Sequence, residues 1–431
     1  MKKILNILIV NIFILILIVS KSYGGDKVIK NITDNRITIL FKQTKGQGII
    51  AGTIFIKGGS VEDPNEKKGL TALTMRLLLK GSKNYSAYNI SKLFEDSGGY
   101  ISTSTAEEYT TIDFALRTKD LKRGLLILKD IIYNPSFPED KLEIEKNNLI
   151  ASLKARKEDA FSYGYDELRK LMYKDTPYQY SPAGKIEDIK GIKREDLIKR
   201  WKELLEGSRW VISFVGDISY REVEKDIKDT FGDIPSKINY KYPIYNYEIK
   251  GESCKTLKRE GAQSTILVAY NSPSLKEKEY FATKVLNGVL GSGFTSRLFQ
   301  DLREKRGLAY AIGSFYPTRI NMGRLIAYIG TAPNNTEIAL KGIREVVNSL
   351  KNGVSEEELK TSKEKIIGSF LLDHQTRAKQ SWYLGWFETL GLGYEMDKKY
   401  TDYIMKVKES DILDVYNKYI TKGNVCVKVV P

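Results

Sequence analysis

The 431-residue chain has one histidine, His374, and two cysteines, Cys254 and Cys426. A single imidazole excludes any two-histidine metal site, the usual basis of hydrolytic zinc. It also leaves no Ser–His or Cys–His pairing away from His374. Two cysteines are too few for a disulfide scaffold. Each lies near one end of the second half, and they stand open between a bridge and two buried thiols. Apolar runs of membrane-spanning length are missing as well. The longest, Ile4 to Val19, is broken by Asn6 and Asn11. Lys2 and Lys3 precede it, and Ser22-Tyr23-Gly24 offers small residues for cleavage before Gly25. That is the pattern of a secretory signal over residues 1–24, with a retained anchor as the alternative. No cysteine near the junction provides for a lipid anchor. The expectation is an exported, periplasmic protein without a membrane span once the signal is removed.

What is present is globular in composition: 42% hydrophobic and 29% charged residues, with a net charge of +15. The basic residues are scattered through amphipathic segments and form no dense block or recognised binding motif, which argues against nucleic acid. They read as a solvated basic surface, suited to acidic peptides or anionic membrane surfaces.

Patterning divides the mature chain into two similar halves, residues 26–235 and 251–431. The first opens with strand-like runs at Arg36–Phe41 and Ile49–Lys57. A helix follows from Leu70, another runs from about Tyr88 to Asp96, and a hairpin pairs Tyr100–Thr105 with Thr110–Arg117. Helices are expected at Leu121–Tyr133, Glu139–Lys157 and Phe161–Tyr173, and a closing strand at Trp210–Asp217. Residues 236–250, rich in Tyr, Lys and Asn, read as a linker. The second half repeats the order: a strand at Ser264–Tyr270, helices at Tyr280–Leu290 and Ser296–Leu302, and a hairpin of Ala309–Tyr316 with Gly323–Gly330. Helices at Glu337–Leu350 and Ser355–Asp373 and a closing strand at Asn424–Val430 complete it. Trp382, Trp386 and Phe387 recur at near-helical spacing, as core or interface packing does. Helices mixed with antiparallel hairpins indicate an α+β fold, two duplicated domains each with an antiparallel-rich sheet packed with helices.

The segment from Gly69 to Ser82 reads GLTALTMRLLLKGS. It resembles the zinc-carrying helix of the insulinase/pitrilysin metallopeptidases, G-x-x-H-x-x-E-H-x-x-x-K-G-[ST]. The positions of the two ligands and the base hold Ala72, Met75 and Arg76. A methyl group, a thioether and a permanent cation neither bind hydrolytic zinc nor act as a base. The resemblance extends through Phe137-Pro138-Glu139 and Leu142-Glu143-Ile144-Glu145-Lys146, but the third-ligand turn reads Ala151-Ser152, so Ser152 stands for a glutamate. A second stretch, Ser296-Arg297-Leu298-Phe299 into Leu302-Arg303-Glu304-Lys305-Arg306-Gly307-Leu308-Ala309-Tyr310, is similar to the family's S-R-L-F-x-x-L-R-E-K-x-G-L-A-Y signature. There an Arg and a Tyr seven residues apart bind the peptide carbonyl opposite the zinc, and Arg303 and Tyr310 have that spacing. A fixed cation and a phenol donor suit the charge of a tetrahedral intermediate. After Gly98-Gly99 the family's strand carries x-x-Asn-Ala-x-Thr; this chain has Ser102-Thr103-Ser104-Thr105, which keeps the backbone for strand addition without the orienting side chain.

The resemblance covers nearly all of residues 28–431. It implies a half-chamber that closes as a clam shell with a second chain, as in the small two-chain bacterial enzymes and the mitochondrial processing peptidase, whose alpha subunit is the counterpart. On this reading the chain holds no cofactor and is inactive alone. Its partner is a zinc-bearing subunit with an intact H-x-x-E-H, and Arg303 and Tyr310 act in trans on a peptide substrate. The alternative is a structural or peptide-holding envelope protein of the same fold without any role in proteolysis.

Overall fold

The computed structural model describes residues 27–431, so the expected signal lies outside the described residues. Two sheets organise the molecule. The first has six strands: β1 (Val28–Ile32), β2 (Thr38–Gln43), β3 (Ile49–Lys57), β4 (Tyr100–Thr105), β5 (Tyr109–Arg117) and β6 (Trp210–Gly216), in the order β1-β2-β6-β3-β5-β4. The second has β7 (Gly251–Lys258), β8 (Ser264–Ser272), β9 (Ala311–Phe315), β10 (Gly323–Thr331) and β11 (Gly423–Val430), in the order β7-β11-β8-β10-β9. Leaving out β1, the two orders are the same. In each, the opening strand runs parallel to the closing one, β2 with β6 and β7 with β11. The remaining pairs are antiparallel. The architecture is α+β, with two sheets of matching topology.

Period-2 burial explains how each sheet is covered twice. Along β8, Ile266, Val268 and Tyr270 enter the core formed with the second half's own helices. Leu267 and Ala269 point the other way, into a cluster with Leu168 and Met172. Those two residues belong to the Ala160–Met172 helix of the first half. The exchange is reciprocal. The Arg377–Thr389 helix of the second half lies on β3 and β6, where Leu384 joins Phe55, Val211 and Val215. Each half thus lends a helix to the other's sheet. Glycines allow the close approach: a Cβ at Gly164 would sit 2.7 Å from Leu267 Cδ1, and one at Gly385 would sit 2.6 Å from Phe55 Cε2. Ser213 and Ser381 add mutual hydrogen bonds, Ser213 Oγ donating to Ser381 O at 2.7 Å and Ser381 Oγ to Ser213 O at 2.9 Å. Trp382, Trp386 and Phe387 pack inside the described fold, with Phe387 only 1% exposed.

A buried charge cluster forms a second bond between the halves. Glu107, at the tip of the β4–β5 hairpin, accepts from Arg169 Nη1 at 2.8 Å and from Arg319 Nη2 at 2.7 Å. Glu108 beside it accepts from the Tyr178 hydroxyl at 2.5 Å and the Ile320 amide at 2.6 Å. The segment joining the halves is also held down. The Tyr240 hydroxyl donates to Glu62 at 2.5 Å, and the Ile249 amide donates to Asn271 Oδ1 at 3.0 Å. Arg324 Nη2 donates to Tyr247 O while its Nε caps Met172 O at 2.9 Å. Cys254 and Cys426 stand opposite each other in the parallel β7–β11 pair, their Cα atoms 4.5 Å apart, and are bonded as a disulfide. Among the described residues no helix is long and apolar enough to cross a membrane.

Candidate functional site

Two regions carry the residues singled out in the sequence. The first is the Leu70–Leu78 helix. It starts at Gly69, whose φ of 104° is open to glycine and strained for other residues. Asp63 closes the helix start, accepting from the amides of Gly69 and Thr71 at 2.9 and 3.0 Å and from the Thr71 hydroxyl at 2.5 Å. Leu73, Leu77 and Leu78 are fully buried in the first core. Ala72 and Met75 are buried too, at 7% and 1% exposure, so neither offers a polar group to a ligand.

Arg76 points outward from the last turn of this helix, where a cation complements the helix dipole. Its Nη1 lies 3.3 Å from Glu145 Oε2, and Lys80 Nζ lies 2.8 Å from Glu145 Oε1. Glu145 belongs to the Glu139–Glu158 helix, the one expected to bring the third ligand. An ion pair therefore joins the two helices that a metal joins in the resembling enzymes. Burial pushes the Glu145 carboxyl up, but hydrogen bonds and charge from Lys80 and Arg76 outweigh it and hold the group below its ordinary range. Ser152 is exposed two turns further on, its hydroxyl donating to Leu149 O at 2.7 Å. These residues do not fit zinc: the one acid present is committed to two cations. Among the described residues no group of three or more His, Cys, Asp or Glu side chains is placed to hold a metal ion. His374 caps a helix, one ring nitrogen 2.7 Å from Phe370 O and the other 2.8 Å from Asp397 Oδ1.

Beside this helix runs β4, the outermost strand of its sheet. Thr103 Oγ1 donates to Met75 O at 2.9 Å and ties the strand to the helix at the vacated base position. Residues alternate along β4, with Tyr100, Ser102 and Ser104 exposed. Its outer edge is free among the described residues, and such an edge accepts an added strand.

The second region is the Arg303/Tyr310 stretch. Arg297 is the structural arginine of the two. Its Nε and Nη2 grip Glu358 at 2.5 and 2.9 Å, and Nη2 also donates to Gly353 O at 2.8 Å. Leu298 and Leu302 are fully buried. This anchorage leads into a π-helix, Phe299–Lys305, a form that recurs at functional sites. Arg303 leaves it toward solvent, its guanidinium 5.1 Å from the Phe299 ring centre. Arg303 Nη1 donates to Tyr310 O at 3.2 Å, so the structure brings the pair together. The Tyr310 amide is pinned to Gly330 O at 2.8 Å, while its side chain is 59% exposed. A cation and a phenol thus stand on fixed backbone, open to an incoming acceptor.

Glu145 lies in the stretch that carries the resemblance, but the sequence assigns it no role. Its signal was the pairing of an acid on one helix with a basic substitution on the other, which becomes visible only once the helices are known to touch.

Both halves of the chain match known family models. Residues 38–184 match the family model described as insulinase (peptidase family M16), and residues 191–366 the one described as peptidase M16 inactive domain. The chain is 28% identical to the uncharacterized zinc protease YmxG of Bacillus subtilis, covering 80% of this chain and 85% of that protein. It is 26% identical to the non-peptidase homolog YmxG of Helicobacter pylori, covering 84% and 83%. Among solved structures, a protease from Helicobacter pylori superposes with a TM-score of 0.87 at 20% identity, over 94% of this chain and 100% of that one. A peptidase M16 inactive domain from Pseudomonas fluorescens gives 0.86 at 22% identity, over 94% and 98%.

Proposed function

This chain belongs to the insulinase family of peptidases, and on that premise we propose that it is the non-catalytic subunit of an exported two-chain zinc peptidase. Its own half-chamber holds peptide along β4. Arg303 and Tyr310 reach the carbonyl of a peptide at the zinc of a partner whose H-x-x-E-H is intact. The periplasm is the compartment this reading assigns, from the signal-like residues 1–24. The observation that carries it is the contrast between the two regions. The zinc helix has been refilled with Ala72, Met75 and an Arg76 ion pair, whereas Arg303 and Tyr310 remain exposed on an anchored turn. A relative bearing the name of a non-peptidase homolog supports the absence of autonomous activity.

The test mixes Arg303→Ala and Tyr310→Phe variants with the zinc-bearing partner, confirms the complex by size, and follows cleavage of a quenched peptide. One donor to a transition-state oxygen is worth about 3 kcal/mol, or about a hundredfold in rate. Each variant is expected to assemble and to lose turnover on that scale. Wild-type rates from both variants in an intact complex would remove the role in trans and favour a structural or peptide-holding protein.

A further inference from the structure

We propose that the vacated zinc motif is a carboxylate receptor: Arg76 binds the free C-terminal carboxylate of a peptide lying along β4. This rests on the reading of the chain as a peptide holder and adds which end of the peptide is recognised, and by what.

Charge at the site is unbalanced. Arg76 and Lys80 together face one acid, Glu145, which is the better bonded of its two partners to Lys80, at 2.8 Å against 3.3 Å. The Glu145 side chain is only 7% exposed, so it lies beneath the two cations and does not project past them. The Arg76 side chain is 44% exposed, and among the described residues only its Nη1 is engaged. Its Nε and Nη2 therefore remain for a planar anion, which the guanidinium fork matches in two parallel hydrogen bonds. The helix dipole and Glu145 explain how a cation is accommodated in this turn. They leave half the fork open to solvent.

Position identifies the anion. Arg76 follows Met75, whose carbonyl is bonded to Thr103 of β4. A peptide adding to the outer edge of β4 passes beside this helix, and pairing through the backbone tolerates many sequences. A receptor for such a peptide gains most from a group every peptide carries, and the terminal carboxylate is the anionic one. A fixed cation at this place favours a chain that ends there.

The experiment uses the mature chain and a set of short, N-terminally fluorescein-labelled peptides, each made with a free C-terminal carboxylate and as its amide. Fluorescence anisotropy is expected to show the acids binding at least tenfold more tightly than the amides, with the gap closing at high salt. Arg76→Gln, at an exposed position, should bring acids down to the amide level and leave the amides unchanged. Glu145→Gln, which removes the competing anion, should tighten the acids selectively. Equal binding of acids and amides by the wild-type chain, or a preference that survives Arg76→Gln, overturns the receptor while the peptide-holding reading stands. Failure of every peptide to bind overturns both.

Discussion

Met75 has 1% of its surface exposed, and its carbonyl is committed to Thr103. Writing the zinc motif back at this spot therefore asks more than three substitutions can deliver. In the Ala72→His, Met75→Glu, Arg76→His variant, the buried carboxylate at 75 has no cation, Ser152 supplies no third ligand, and Glu145, the acid beside position 76, stays paired with Lys80. The expected outcome is no tightly bound zinc by elemental analysis and no chelator-sensitive cleavage of a quenched peptide by this chain alone. Recovered activity would show the site to be far better preserved than its side chains indicate. The loss of metal chemistry was legible residue by residue, because a methyl, a thioether and a guanidinium lack the donors whatever the fold. The remedy was not. Glu145 meets Arg76 only because two helices pack side by side. Likewise the spacing to Tyr310 singles out Arg303 in the sequence, but only the fold shows that Arg297 is clamped on Glu358 while Arg303 is left open.

Elements show the same division between local pattern and long-range contact. Strands with clear alternation and helices with clear apolar stripes were readable, and the hairpin of β4 with β5 falls where its pattern placed it. β7 has no such pattern: all of it except Leu257 is exposed, and its order comes from parallel pairing to β11, where the facing Cys254 and Cys426 are 172 residues apart. β1 is a five-residue edge strand and gives no pattern to detect. The stretch expected as an ordinary helix from Ser296 contains the π-helix, a change of hydrogen-bond register that apolar spacing does not report. Nor does any pattern announce that the Arg377–Thr389 helix crosses to the other half's sheet. Gly385 makes that crossing testable. In a freely exposed helix, glycine to alanine gains about 1 kcal/mol. Here the new methyl meets Phe55 at 2.6 Å and Ser213 Oγ at 2.8 Å, and Phe55 is fully buried. Overpacking of this kind costs about 1–3 kcal/mol. Gly385→Ala is therefore expected to lower the thermal midpoint of the chain, and a raised midpoint would mean that the helix does not seat on that sheet.

For the whole molecule, the Glu107 cluster gives the union of the halves a pH signature. Glu107 on the first sheet's hairpin faces Arg319 from the second half and Arg169 from the exchanged helix. Burial alone would raise its carboxyl; the two arginine charges outweigh that and hold it at about 2, against an ordinary 4.5. A carboxyl with a depressed folded value contributes stability that is complete above its unfolded value and is lost as pH falls through the folded one. The window is therefore from about 4.5 down to about 2, and the full difference amounts to about 3 kcal/mol. Glu108 beside it has the opposite sign, because burial raises its carboxyl, and its protonation stabilises the fold as pH falls toward 4.5, above the window of Glu107. Glu107→Gln leaves the buried Arg169 and the part-buried Arg319 short of an anion, a defect of about 3 kcal/mol at neutral pH. Thermal midpoints of wild type and Glu107→Gln, measured from pH 6 to pH 3, should converge on acidification, since the variant has no such carboxylate to lose. Glu108→Gln keeps an oxygen for Tyr178 and Ile320 and removes the group that gains on protonation, so it should lack the wild-type gain as pH falls toward 4.5 and run parallel to wild type below it. Comparing differences between variants removes the titration of carboxylates common to all three. Parallel curves for wild type and Glu107→Gln would show that this cluster does not couple the two halves. Convergence would mean that acid discharges the carboxylate by which the β4–β5 hairpin pairs with the second half.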